Sequence, residues 1–374
     1  MKILYVVTEP SPGMYPFAVN IINSMATIEQ YEIHVIAVNS KKKSFSGKFK
    51  NSVKCIYISE NTSLFRKAID KLWFIDVIRV LNSERKEFKP DVIHFLTADF
   101  RLGVYSMLHS SKLKNFCYTV HDLHPHEREY KNFILWLIQK LMTFGCWLNR
   151  LNIPNLTTCS ISQYEELKVL YPRKNIHFTH FPTLVTPEIA NGEKNVPELK
   201  GIDQYILFFG SVDKYKGVNN LVQAYLKSSQ LKNYKLVIAG NDKKQIVMKN
   251  STNIININRY IKDDEIKDLF SKAKIVVYPY LSATMSGVLS IAFYFKKNVI
   301  LSDIPFFKEF ECENTFFFKN NNVDDLQKTL EVAIKKERDD SIIPYERFYS
   351  TKQLLQDYQL LYKSIVTHHD IYKR

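Results

Sequence analysis

The sequence predicts an α/β protein built from two doubly wound domains, and three observations carry that prediction. Short apolar runs alternate with amphipathic stretches through the first half, the pattern that builds a parallel sheet covered by helices. The alternation stops at a polar segment bearing prolines and glycines, Thr183 to Gln204, and then restarts. A chain of 374 residues is also long for a single core and suits two.

In the first half, KILYVVTE reads as a strand, FAVNIINSMATIEQ as a helix and YEIHVIAVN as the next strand. SVKCIYIS is a further strand, followed by a helix-like stretch from Leu64 to Phe88. KPDVIHFL is a strand introduced by a proline, and CYTVHD is another. Right-handed crossovers set loops such as TEPSPG, ending at Gly13, and HDLHPHE at the C-terminal strand ends, where ligands of such sheets bind. The polar segment 183–204 is the linker candidate. After it come the strand QYILFFG, the helix VNNLVQAYLKSS, the strand YKLVIAG, the helix DDEIKDLFSKA, and the strands KIVVYPY and KNVILSD with an apolar helix between them. FYSTKQLLQDYQLLYKSI closes the chain as an amphipathic helix able to pack across either domain. The expected domains are 1–185 and 200–345, with 346–374 as the C-terminal helix.

Composition narrows the function. The five cysteines are scattered with no CxxC pair, which argues for reduced thiols in a cytoplasmic setting and against structural zinc. Met1-Lys2 leads directly into the first strand with no signal-peptide pattern, and no apolar run approaches a membrane span. The net charge of +14 fits nucleic acid, an anionic membrane surface or phosphate-rich substrates. Zinc-finger spacing and RNP-like aromatics are missing from the sequence, so nucleic acid is not expected.

The segment Tyr278 to Asp303 is the strongest pointer to a site. Its loop SATMSG puts Ser282, Thr284 and Ser286 just ahead of a helix with Gly287 at its mouth. Small hydroxyl residues there are expected to cap the first turn, and such a helix start favours an anion, with phosphate the usual one.

That segment, with FFGSVDKYKGVNNLVQAY and KLVIAGND before it, resembles the C-terminal domain of GT-B glycosyltransferases of family GT4. TVHD and CSIS at Cys159 to Ser162 are spaced as in that family, and the resemblance is stronger from Gln204 onward than at the N-terminus. It implies two Rossmann-like domains facing a central cleft, and a retaining transferase that takes a sugar from a nucleotide diphosphate sugar without a metal or cofactor. It also implies a glycan or lipid-linked acceptor and a place in bacterial surface polysaccharide biosynthesis.

Residue by residue, the resemblance gives Lys216 of the DKYKG turn a contact with the donor phosphates, where a point charge is wanted. It sets His121, at the end of CYTVHD, beside the donor sugar. Gly210, Ser211, Thr284, Ser286, Gly287 and Val288 complete the expected donor side, and Gly13, Asp99 and Asp122 the acceptor side. Two departures stand out. Relatives often carry a basic residue where Ser211 follows Gly210, and usually two glutamates seven residues apart where Thr284 and Ile291 stand. The group Asp122, His124, His126 and Glu127 does not have metal-site spacing, and no metal is expected.

The segment Asn132 to Leu151, rich in Trp, Phe and Leu with basic flanks, reads either as a core helix of the first domain or as a helix lying at a membrane interface. Two other functions stay open beside transfer. The missing glutamates suit a catalytically silent subunit that binds nucleotide or glycan and supports a partner transferase. A sugar-nucleotide epimerase is the third, though it lacks a clear set of acidic groups for the cleft.

Overall fold

The computed structural model describes residues 1–8, 14–39, 45, 47–59, 75–97, 100–124, 133–242, 252–337 and 344–371. The chain divides into two compact units, Met1–Pro182 with Thr351–Arg374, and Thr183–Ser350.

The first unit is built on seven parallel strands: β1 (Lys2–Val7), β2 (Glu32–Asn39), β3 (Val53–Ser59), β4 (Val92–Phe95), β5 (Phe116–Thr119), β6 (Asn155–Thr158) and β7 (Asn175–Phe178), in the order β3-β2-β1-β4-β5-β6-β7. The order reverses beside β1, so the C-terminal ends of β1 and β4 flank the switch point where doubly wound sheets bind ligands. β1 is buried from Ile3 to Val7, as the continuous apolar run KILYVV requires of a strand covered on both faces. Val77, Leu81 and Phe88 of the helix segment Ile75–Glu87 and its continuation pack on Leu4, Val6, Ile93 and Phe95 in one core.

The second unit repeats the plan with six parallel strands: β8 (Tyr205–Phe209), β9 (Leu236–Ala239), β10 (Ile254–Ile257), β11 (Ala273–Tyr278), β12 (Asn298–Ser302) and β13 (Thr315–Phe318), ordered β10-β9-β8-β11-β12-β13. Four strands, β6, β7, β10 and β13, lie outside the strand pattern expected from the sequence. Each is four residues long, and β6 reads NLTT, whose threonines are buried on polar partners instead of apolar ones.

Segment 183–204 is not a free linker. It belongs to the second unit, with Ile189, Val196 and Leu199 buried and the Val196 amide donating to Asp268 Oδ2 at 2.8 Å. Its prolines start two short helical turns, Pro187–Asn191 and Pro197–Leu199, because proline suits the first turn of a helix.

The C-terminal helix breaks at Ser350, between Pro344–Tyr349 and Thr351–Ile371. The longer piece belongs to the first unit, where a buried polar chain holds it. His94 on β4 bonds Tyr362 Oη at 2.8 Å through Nδ1 and Thr119 Oγ1 at 2.8 Å through Nε2. Tyr362 in turn donates to Tyr5 Oη at 2.9 Å. That spends the Tyr362 proton, so Nδ1 carries the His94 hydrogen and Nε2 accepts. Burial holds the His94 imidazole far down, at about 3, with His121 adding to the effect.

Helix Phe133–Asn152 is packed along one face and open along another. One face packs on helix Phe100–Leu108 so closely that a Cβ on Gly103 would overlap the Gly145 backbone. Along the other, Phe133, Trp136, Leu137, Phe144, Trp147 and Leu151 are all more than 40% exposed. It is therefore a packed helix with an open apolar stripe, not a fully buried one.

Candidate functional site

Lys216 is the centre of the polar cluster in the second unit. β8 ends at Phe209, and Gly210 follows with φ 129°, a conformation open to glycine and strained for other residues. A Cβ there would meet Lys216 Nζ at 3.4 Å, an ordinary contact distance, so the backbone conformation is what asks for glycine. A short turn, Lys214–Lys216, then leads into helix Val218–Lys227 through Gly217 at φ 63°, where a side chain would strike the Pro279 carbonyl. The turn is fixed to the next loop by the Leu281 amide, which donates to the Tyr215 carbonyl at 2.7 Å.

Lys216 is only 7% exposed. Its Nζ donates to Ser211 Oγ at 3.1 Å and lies 5.4 Å from the Tyr280 ring centre and 5.9 Å from that of Tyr215. Burial pulls its ammonium down to about 8, and Asp213 partly opposes that. The Asp213 side chain caps its own turn by accepting from the Lys214 amide at 2.8 Å. Among the described residues no carboxylate pairs with Lys216, so a buried cation is held by a hydroxyl and two aromatic faces. Such a group needs an anion to be fully compensated.

Tyr280 brings the SATMSG loop to the same place. Its hydroxyl is buried with the Ser286 hydroxyl as its polar neighbour, and burial pushes the phenol up while Ser286 offsets part of the rise. The structure thus gathers Gly210, Ser211, Lys216 and Ser286 of the sequence-expected donor side, and adds Tyr215 and Tyr280. The YPY at the end of β11 was the available signal for Tyr280, visible only as a strand ending until the fold put it over the lysine.

The helix mouth differs from expectation in one respect. Helix Val288–Tyr294 starts at Gly287 with no side-chain cap from the loop hydroxyls. Ser290, inside the helix, donates to the Gly287 carbonyl at 2.6 Å and accepts from the Leu184 amide at 3.0 Å. Segment 183–204 thus supports this helix from behind. Thr284 lies half-buried in the loop, whereas Ile291 is 3% exposed on the core face of the helix. Val288 starts the helix, and its carbonyl accepts from Tyr278 Oη at 3.3 Å.

In the first unit His121 follows β5 at its C-terminal end. Its Nε2–H donates to the Leu96 carbonyl at 2.6 Å, and the edge of the ring meets Phe17 at 4.8 Å. Burial pulls its basicity down, with the Leu96 carbonyl and Asp122 opposing. The imidazole is therefore neutral near pH 7, and its buried Nδ1 has no hydrogen-bond partner among the described residues. Asp122 is exposed beside it. Gly13 and Asp99 lie outside the described residues, as do His126 and Glu127. His124 pairs with Glu166 at 2.6 Å on the surface. Among the described residues no group of three His, Cys, Asp or Glu side chains could hold a metal, and no helix is long and apolar enough to cross a membrane.

Residues 191–348 match the family model described as Glycosyl transferases group 1. The second unit is a glycosyl transferases group 1 domain. The polar cluster at Lys216 lies within the matched residues, which make up most of that unit. The whole architecture is GT-B. Anabaena Alr3699/HepE in complex with UDP is similar in structure, with TM-score 0.67, 13% identity, and 97% of this chain and 100% of that one covered. A glycosyltransferase from Rickettsia africae gives 0.65 at 15% identity over 98% of both chains. The UDP-GlcNAc 2-epimerase of Methanocaldococcus jannaschii gives 0.59 at 16% identity, with 96% and 99% covered. No curated protein sequence matches significantly.

Proposed function

We propose that the protein is a retaining glycosyltransferase of the GT4 kind, moving a sugar from a nucleotide diphosphate sugar to a glycan or lipid-linked acceptor in surface polysaccharide biosynthesis. The observation that carries this reading is the buried, carboxylate-free ammonium of Lys216 beside Ser211 and Tyr280 inside a group 1 domain. The donor diphosphate would supply the missing negative charge, with Lys216 and the amides around Ser286 to Val288 on its oxygens. Gly210 and Ser211 would leave room for it, and Thr284 and Gly287 would border the sugar. The UDP-bound state of Anabaena Alr3699/HepE supports a nucleotide ligand on this fold.

His121 would act as a neutral hydrogen-bond acceptor. Its Nε2–H is already given to Leu96, so Nδ1 can accept from a sugar hydroxyl. Stabilising developing charge on the leaving diphosphate and orienting the sugar are then the protein's two tasks, with no cofactor or metal required. Gly13, Asp99 and Asp122 remain the proposed acceptor side. The open apolar stripe of helix Phe133–Asn152, which carries no acidic residue, would let the enzyme meet a lipid-linked acceptor at the inner face of the membrane. A panel of nucleotide sugars read by thermal shift, followed by product analysis with the binding donor, tests the reading. Donor binding with anomeric retention supports it, and no stabilisation by any nucleotide diphosphate sugar sinks it.

A silent supporting subunit is the second reading, favoured by Thr284 and by the burial of Ile291 where relatives place glutamates. Donor binding without transfer or hydrolysis under any acceptor would select it. Isomerised donor in the absence of acceptor would select an epimerase instead.

A further inference from the structure

At the N-terminal edge of the first sheet, opposite the strand ends that carry His121, lies a cavity of about 490 Å³. It is lined by the residues leading into β4 and β5 and by the end of helix Ile75–Glu87. Its charged side chains are Arg85, Lys89, Lys112 and Lys114 against one acid, Asp91. Asp91 is engaged, because its Oδ2 accepts from the Lys2 amide at 2.7 Å. The acids of the adjoining helix turn are engaged as well. Glu84 is buried on His34 at 2.6 Å, and Glu87 accepts from Ser83 at 2.7 Å.

Arg85 is held in place without a counter-ion. Its Nη1 donates to Tyr105 Oη at 2.6 Å, its Nη2 to the Lys112 carbonyl at 3.3 Å, and its Cζ lies 5.3 Å from the Phe116 ring centre. Tyr105 passes the chain on to Asn82 Oδ1. Among the described residues Arg85, Lys89 and Lys112 form no ion pair. A solvated basic face has no need to fix a guanidinium in this way, since surface arginines gain little from order. Lys89 adds a second sign, standing at φ 53° after the helix end, where glycine is the unstrained choice. A lysine at this position brings a charge to the cavity at a conformational cost.

We propose that this cavity binds a phosphate-type anion, a pyrophosphate or phosphate ester, with Arg85 as the fixed donor and Lys89 and Lys112 closing over it. Guanidinium forks suit phosphate oxygens, and ammonium groups add point charge. The site is separate from Lys216 and does not depend on the transfer reading. The phosphate can come free in solution or as the headgroup of an anionic phospholipid.

The test uses the full chain and the double variant Lys89→Gly, Lys112→Ala. Both residues are exposed, and the glycine relaxes the backbone, so the fold is kept. Amide hydrogen exchange with inorganic pyrophosphate should protect Ser110–Asn115 in the wild type and lose at least tenfold in apparent affinity in the variant. Protection at Gly210–Lys216 is read separately and reports only on the donor site. In the second arm, flotation with vesicles of phosphatidylcholine and phosphatidylglycerol is compared for the two proteins. A variant-sensitive response to pyrophosphate supports the site with a free ligand. Variant-sensitive flotation without pyrophosphate protection supports it with a lipid headgroup. If neither response differs between the two proteins, the proposal is overturned.

Discussion

His121 and Lys216 each stand past the C-terminal end of a central parallel strand, β5 in one unit and β8 in the other, yet burial has left them in opposite states. The imidazole is neutral, with one nitrogen given to the Leu96 carbonyl and the other unpartnered among the described residues. The lysine keeps its donors on Ser211 and two aromatic rings and, among the described residues, forms no ion pair with a carboxylate. The same edge of the same kind of sheet therefore offers an acceptor in one unit and an incomplete cation site in the other. Position in the fold says where ligands go; which partners the side chain has already found says what kind.

The comparison breaks most visibly at Lys216. Lys216→Ala should lower donor kcat/KM by about 10²–10³-fold, the scale of losing one preorganised charge-stabilising donor, with little change in melting temperature; equal turnover by the two proteins would remove the lysine from the site. Its titration sharpens the same point. The ammonium of the free protein lies at about 8 against 10.5 in the unfolded chain. Donor affinity should hold below pH 8 and fall by up to about tenfold per pH unit above it, which calorimetry across pH 7–9.5 would register.

Next in size is the contrast between Thr284 and Ile291. Ile291→Glu buries an unpaired carboxylate in the core of the second unit and should cost about 3–5 kcal/mol. Thr284→Glu, in a half-buried loop, should cost under about 1 kcal/mol. Chemical denaturation of both variants decides this; similar losses would mean that the helix can turn Ile291 outward.

The first unit has its own titrating group in His94. Its folded value of about 3 lies below the ordinary 6.5, so the unfolded chain binds the proton more tightly. The associated stability is intact above pH 6.5 and is lost as the pH falls toward 3, amounting to about 3 kcal/mol at pH 4. His94→Gln should reduce that part of the acid sensitivity, seen as a smaller drop in urea midpoint between pH 7 and pH 4. The smallest effect belongs to Tyr280. Tyr280→Phe keeps the ring over Lys216 and should change donor affinity less than about twofold, while Tyr280→Leu should cost about 0.5–2 kcal/mol of it.

Much of this was legible in the residues. The buried strands β1, β8, β11 and β12 announce themselves as continuous apolar runs, and DKYKG and SATMSG are local patterns a reader can find. β6 was not, because its threonines are buried on hydrogen-bond partners distant in sequence, and β10 was not, because IINI is only four residues long and mostly half-buried. The expected hydroxyl cap at Gly287 failed for a related reason: Ser290, three residues inside the helix, and the Leu184 amide meet there only once segment 183–204 has folded onto the second unit. Tyr280 could not be read as a partner of Lys216 from a separation of 64 residues in sequence.

By itself the sequence determined the fold class and the repeated strand–helix plan, since hydrophobic periodicity is a local property, and it put a lysine and a glycine-bearing loop at strand ends. Tertiary structure alone decided the electrostatic state of those groups. Whether Lys216 finds a carboxylate, which nitrogen of His121 is spent, whether Ile291 faces core or loop, and whether Arg85 stands fixed beside a cavity all depend on partners that chain folding brings together.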